Sequence, residues 1–258
     1  MMGFTVLLAK ELREQIRTGR AVAVSAVFIL FGVLGPLTDR YMKELFEALT
    51  SATSSAGMSI ELPPPSLAGD AAQILKNITE FGIICALLLA MGSVTWEKER
   101  GTAGLILTKP ASRAAFLAAK LVAISLNLAL AVILGCGIAW IYTDLLYPAP
   151  FDVVGYVEMM ALTWWTLVIF VAITLLGSTV TRSAIAAAGI GLVVLLALGI
   201  VAALPVVGPY MPSALEATAM DLCLGRDPGD VLAPILFNIA LVPAVFAVTW
   251  LAFRRQEL

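Results

Sequence analysis

Four consecutive charged residues, Glu97, Lys98, Glu99 and Arg100, open the interval at residues 96–120. It is the only long polar and basic stretch lying between two apolar runs long enough to cross a bilayer. The chemistry open to such a cluster is charge pairing: carboxylates and cations at the exit of a membrane span recognise complementary charge and fix a register. Gly101 and Thr102 break the chain and offer a hydroxyl to cap a short helix over residues 103–108, which Pro110 stops. Ser112 stands as a second cap before Arg113 and the next apolar run. A short, capped, charged helix between two spans is either an ordinary connector or a docking element. Catalytic chemistry is poorly supplied. The chain has no histidine, the commonest general base and metal ligand, and neither a GxSxG nor an HExxH pattern. No GxxxxGK[ST] stretch offers a nucleotide site. Cys85 and Cys136 lie within apolar runs and Cys223 in a connecting loop, with no CxxC pair. We therefore expect neither an enzyme nor a metal site.

The elements around this interval belong to a membrane protein. The chain is 60% hydrophobic and 13% charged, with mean hydropathy +0.98, too apolar for a soluble domain of its length. The sequence predicts an all-α membrane protein, a single transmembrane domain over residues 1–258. Its spans are expected at 21–37, 74–95, 114–142, 153–181, 184–204 and 228–253. The run at 21–37 is long for a signal-peptide core and no A-x-A follows it, so it reads as span one. Residues 38–73 and 205–227 are outer loops. The first begins with an amphipathic interfacial segment around Tyr41 and carries Pro63, Pro64 and Pro65. In the second, Ser213 and Glu216 form a capping box for a helix to about Leu222. Asp227, Pro228 and Asp230 are read as the cap and first turn of span six, which then crosses Pro234 and Pro243. Span three is longer than the roughly 20 residues a bilayer requires. Its first turns are expected to project beyond the bilayer, leaving Lys120 near the headgroups. In span five, the pairs Ala184 with Ala188 and Ala187 with Gly191 are small residues four apart that permit close approach of another helix.

Residues 4–17 predict an amphipathic helix lying on the membrane, with Phe4, Leu7, Leu8, Leu12 and Ile16 on one face and Lys10, Arg13 and Arg17 on the other. Glu11 falls within the apolar arc, where a carboxylate is costly unless paired. It either pairs with Arg100 or Arg113, or snorkels to the headgroups. With this piece in place the chain resembles the permeases of ABC-2 type transporters. The stretch KELRE before a first span is similar to their N-terminal elbow helix. The order of acidic pair, basic residue, Gly-Thr, aliphatic run, Pro, Ser-Arg and a following Lys is similar to their cytoplasmic coupling loop. The likeness is greatest to the six-span branch that includes the permease for nitrous oxide reductase maturation.

The resemblance implies that loop 96–113 is a coupling loop seated in a groove of a separate ATP-binding subunit, which would hold ATP and Mg itself. Glu97, Glu99 and Arg100 would then pair with that subunit or with the elbow residues Lys10, Glu11 and Arg13. Gly101 and Thr102 would set the turn, Leu105 would fill an apolar groove, and Pro110 with Arg113 would fix the re-entry. Six spans place both termini on one side of the membrane. About twelve Lys and Arg lie on that side and about four on the other, so the positive-inside rule makes it cytoplasmic. The expected location is the inner membrane, the expected partners are the ATPase, lipid and a second permease copy in a homodimer, and no nucleic acid is implied. Asn127, Glu158 and Asn238 are the polar candidates for a substrate path, the two asparagines serving equally as an interhelical hydrogen bond. The expected activity is ATP-driven export. The alternative is mechanical transmission to an extracytoplasmic partner in metalloenzyme maturation.

Overall fold

The computed structural model describes residues 2–52, 66–101, 112–147 and 151–256; the side chains at 2, 39, 42–43 and 45–52 are outside that description. The described residues contain helices and turns and no strand. The α-helices are α1 (Met2–Arg17), α2 (Arg20–Ala52), α3 (Leu67–Met91), α4 (Thr95–Glu99), α5 (Arg113–Leu146), α6 (Val153–Val180), α7 (Ala184–Ala202), α8 (Pro212–Cys223) and α9 (Leu232–Arg254), with a 3₁₀ turn at Gly208–Tyr210. Six segments are long and apolar enough to cross a membrane: α2, α3 continued through α4, α5, α6, α7 and α9.

These helices are largely apolar, and their buried faces mix small residues with a few polar ones such as Lys120 and Asn127 of α5. Along α5 the buried side carries Ala119, Ala123, Ala131, Gly135 and Ala139, whereas Leu126, Leu130, Ile133 and Ile141 stand exposed. Small residues inward let neighbouring backbones approach, and large ones outward suit a lipid solvent. A close crossing lies between α2 and α5, where a Cβ built on Gly32 would lie 2.2 Å from the Gly135 carbonyl oxygen. In α7, Ala187 and Gly191 are the buried residues, and Gly191 faces Leu87 and Thr174.

Several boundaries differ from the sequence expectation, each for a local reason. The interfacial segment around Tyr41 is no separate helix: α2 runs unbroken to Ala52 despite Pro36, and the Thr38 hydroxyl donates to the Leu34 carbonyl at 2.6 Å. Span two starts earlier, at Leu67, because Ser66 caps it by accepting from the Gly69 amide at 3.0 Å. Ser213 is not a cap. Pro212 occupies the first helical position of α8 after Met211, as a residue lacking an N–H is suited to do. Cys223 is the last residue of that helix and buried, rather than in a loop. Asp227 does not cap span six, since its carboxylate accepts from the Gly229 amide at 2.9 Å in a tight turn. The helix begins at Leu232, which puts Pro234 in its first turn and leaves Pro243 as the interior proline. Pro63, Pro64 and Pro65 lie outside the described residues.

The opposite end of the bundle from the termini carries α8, packed against α6 and α3. Burial, together with the nearby charge of Glu80, pushes the Glu216 carboxyl up to about 7. A folded-state value above the unfolded one means the native protein holds its proton longer, so stability falls as pH rises from about 4.5 through about 7. Glu216→Gln is expected to remove this slope and to raise the unfolding midpoint at pH 8 relative to the parent protein. Parallel melts in detergent at pH 5.5 and 8 check it, and an unchanged slope in the variant contradicts the assignment.

Candidate functional site

The N-terminal helix, both roots of loop 96–113 and the C-terminal helix meet at one end of the bundle. α1 stops where Gly19 turns left-handed (φ 72°), with the Thr18 hydroxyl donating to the Glu14 carbonyl at 2.8 Å. The turn folds α1 back against α5, and the edge it presents is polar. Gln15 is buried and accepts a 2.5 Å hydrogen bond from the Asn127 side-chain amide, while Ile16 stays exposed. The expected apolar stripe is thus only partly the packed one. Leu7 does join a cluster with Val94, Phe116, Leu117, Leu175 and Phe253. But α5 offers Lys120 and Asn127 here, so Glu11 and Gln15, one turn apart, turn inward to meet them.

Around that contact four charges alternate in a closed ring. Lys120 Nζ lies 3.1 Å from Glu11 Oε1 and 3.0 Å from Glu97 Oε1; Lys10 Nζ lies 3.1 Å and 2.7 Å from the same two oxygens. Lys120 is 3% exposed and each carboxylate 13%, so these pairs are shielded from water far more than surface ion pairs are. Burial pushes Lys10 down, yet the hydrogen bond to Glu97 and the charges of Glu11 and Glu97 outweigh it. Its ammonium is held above the ordinary lysine range. Two expectations are corrected here. The partner of Glu11 is Lys120 with Lys10, not Arg100 or Arg113, because Lys120 reaches it from α5 and Lys10 is its neighbour on α1. The second is the surroundings of Lys120, which is buried beneath α1 instead of standing free at the start of its span.

The loop roots are tied down from a second direction. At the first root, the amides of Val94 and Thr95 both donate to the Ser178 hydroxyl, at 3.1 and 3.2 Å, and the Thr95 hydroxyl donates to the Ser178 carbonyl at 3.1 Å. Lys98 donates to the Thr179 carbonyl, which also accepts from the Gln256 side chain at 2.9 Å. At the second root, Ser112 caps α5 by accepting from the Ala115 amide at 3.0 Å. Arg113 spreads its guanidinium over the end of α9, donating to the carbonyls of Phe253, Arg254 and Gln256 at 3.0, 2.8 and 3.1 Å. Such a set satisfies carbonyls that a helix end leaves unpaired.

The other sequence candidates fall as follows. Glu99, Arg100 and Gly101 are exposed, and Gly101 turns the chain with φ 68°. Thr102, Leu105, Pro110 and the helix expected at 103–108 lie outside the described residues. Arg13 is exposed on α1 and Glu158 on α6. Asn127 and Asn238 do not pair with each other: Asn127 holds Gln15, and Asn238 donates to the carbonyls of Tyr210 and Pro234 at 3.1 and 2.9 Å. Glu11, Glu14 and Glu97 bring carboxylate oxygens within 4.8 Å of one another, the kind of group that holds a cation. Lys10 contacts all three, so the counter-charge comes from ammonium. Reading the sequence missed Gln15, Ser178 and Thr179. Only Gln15 left a trace, one turn beyond Glu11 on the same helix.

Among the described residues, the ion pairs and hydrogen bonds tie both loop roots to the bundle. The chain is 28% identical over 257 residues to the "Uncharacterized transmembrane protein YxlG" of Bacillus subtilis, an alignment covering 97% of each. It is 33% identical over 168 residues to the "Probable ABC transporter permease protein NosY" of Stutzerimonas stutzeri, covering 65% of this chain and 52% of that one. The sequence profile of the ABC-2 family transporter proteins matches residues 5–220, and the chain belongs to that family.

Proposed function

We propose that this chain is the membrane lever of an ABC exporter, driven by a separate ATP-binding subunit that grips loop 96–113 from the cytoplasm. Both termini are cytoplasmic in this reading, the membrane is the inner one, and two copies pair to form the path. The observation that carries it is the anchoring of both loop roots. One is fastened to α1, α5 and α6 through Glu97, Thr95 and Lys98, the other to α9 through Arg113. A push on the loop would reach four helices at once instead of being lost in a slack connector. The residues left for the motor are Glu99 and Gly101, since Glu97 faces Lys10 and Lys120 and Arg100 lines the space beside them.

The test is ATPase stimulation by the reconstituted complex. Gly101→Val forces a β-branched residue into the left-handed region and re-aims the loop at its exit. Stimulation should fall at least tenfold while the unfolding midpoint of the isolated chain stays unchanged. Glu99→Lys should act likewise. Glu97→Lys is a poor probe, because a third cation facing Lys10 and Lys120 loosens the ring itself. Normal stimulation by Gly101→Val and Glu99→Lys would remove the assignment.

A second reading is favoured by α6. The end of this one helix holds Thr95 through Ser178, and its beginning touches α8, where a Cβ on Gly155 would lie 1.9 Å from the Leu222 carbonyl oxygen. Motion at the loop root would therefore reach the outer helix directly, as mechanical transmission to an extracytoplasmic protein requires. ATP-dependent uptake into inside-out vesicles favours the exporter. Capture of a partner through the outer segments, with no uptake, favours transmission.

A further inference from the structure

Beside the charged ring lies a cavity of about 560 Å³, lined by Arg20, Trp96 and Arg100 as well as by the ring residues. Adjoining it is a second, apolar space of about 260 Å³ between α2 and α3, lined by Ala23, Val24, Val27, Cys85 and Leu88, with Arg20 and Leu89 lining both. We propose that this pair of spaces binds one anionic phospholipid, its phosphate on Arg20 and Arg100 and one acyl chain in the groove between α2 and α3.

The charge of the lining argues for a phosphate. Lys10 and Lys120 are committed to Glu11 and Glu97, and Glu14 lies 3.7 Å from Lys10. Arg20 and Arg100 have no carboxylate partner among the described residues, so the surplus charge of the cavity is positive. Arg20 stacks over the Trp96 ring at 5.1 Å. Stacking uses the face of a guanidinium and leaves its N–H edge open, the edge that suits a phosphate. The groove argues for a lipid over a soluble anion. Arg20 is the first residue of α2, and the groove follows α2 inward from it to Val27, about 10 Å along the helix. A charged chamber at the start of a span, adjoining an apolar slot that descends beside it, has the order of a lipid's own parts.

The test is lipid retention by the full-length purified chain in detergent, read by native mass spectrometry with phosphatidylglycerol and phosphatidylcholine as probes. Phosphatidylglycerol should be retained at a stoichiometry of one and in preference to phosphatidylcholine. Arg20→Gln should lower its retention at least tenfold, and Ala23→Phe, which fills the groove from an exposed position, should do the same. Arg13→Gln, exposed on α1 and away from the cavity, should change nothing. If Arg20→Gln proves unstable, Arg100→Gln, at an exposed position, supplies the charge arm. Unchanged retention in the charge and groove variants would overturn the proposal, as would equal loss with Arg13→Gln, which means diffuse surface attraction. Equal retention of phosphatidylcholine would also overturn it. So would displacement by free glycerol 3-phosphate with Ala23→Phe behaving as the parent, the result expected of a soluble-anion site.

Discussion

Lys120→Met is expected to destabilise the isolated protein by about 3–5 kcal/mol, the range for stranding a buried charge by removing its partner. Methionine keeps the length and the apolar stem of lysine, so little packing is lost. What goes is the ammonium between Glu11 and Glu97, two carboxylates only 13% exposed. Lys10 remains, but at 41% exposure it is partly shared with water and cannot neutralise both. The triple variant Lys120→Met, Glu11→Gln and Glu97→Gln should recover most of the loss, since an uncharged group in place of a buried ion pair is often nearly neutral. Unfolding in detergent followed by tryptophan fluorescence measures the midpoints. Limited trypsin digestion gives an independent reading, because α1 should detach and expose Lys10, Arg13 and Arg17 to cleavage in the single variant. A loss below about 1 kcal/mol, as for a surface pair, would show the ring to be solvated.

How much of this was legible in the chain follows from which interactions are local. Ser112, a hydroxyl placed before an apolar run, read correctly as a cap because a cap involves residues three apart. The tight turn between α6 and α7 at Arg182 and Ser183 read correctly for the same reason. The six spans were legible because the apolar runs declare themselves, and the family because its pattern lies in two short strings. The ring was not legible. Glu11 was recognised as needing a partner, yet Lys120 is 109 residues away in sequence, and nothing local distinguishes it from Arg100 or Arg113. The clasp between Thr95 and Ser178 was invisible too, since hydroxyls in apolar helices usually bond back to their own turn, as Thr163 and Thr174 do. The capping box at Ser213 failed because a proline one residue earlier claimed the first helical position. The start of span six failed because the Asp227 carboxylate found a nearer amide at Gly229.

Gly32→Val should cost about 3 kcal/mol or more, the upper range for forcing extra carbons into a packed site. The first added carbon would stand 2.2 Å from the Gly135 carbonyl oxygen and 2.8 Å from Ile138. Ile138 can rotate away, but the Gly135 oxygen is backbone, so relief requires moving α5 as a whole. α2 has little give in return, because a Cβ on Gly135 would meet the Phe28 carbonyl oxygen at 2.7 Å from the other side of the crossing. Pro36 also lacks the N–H that would bond to the Gly32 carbonyl, so this turn of α2 is already one hydrogen bond short. Gly137→Val is the matched control. Gly137 has open space around it, and the same substitution two residues from Gly135 should be neutral or slightly stabilising. Gly135 lies fifteen residues beyond Lys120, about 22 Å along the helix, so the crossing and the ring should fail independently. Gly32→Val combined with Lys120→Met should sum to within about 0.5 kcal/mol. A larger departure from the sum would mean that the crossing sets the position of α5 at the ring, and a tolerated Gly32→Val would mean that α2 and α5 do not meet through these two glycines.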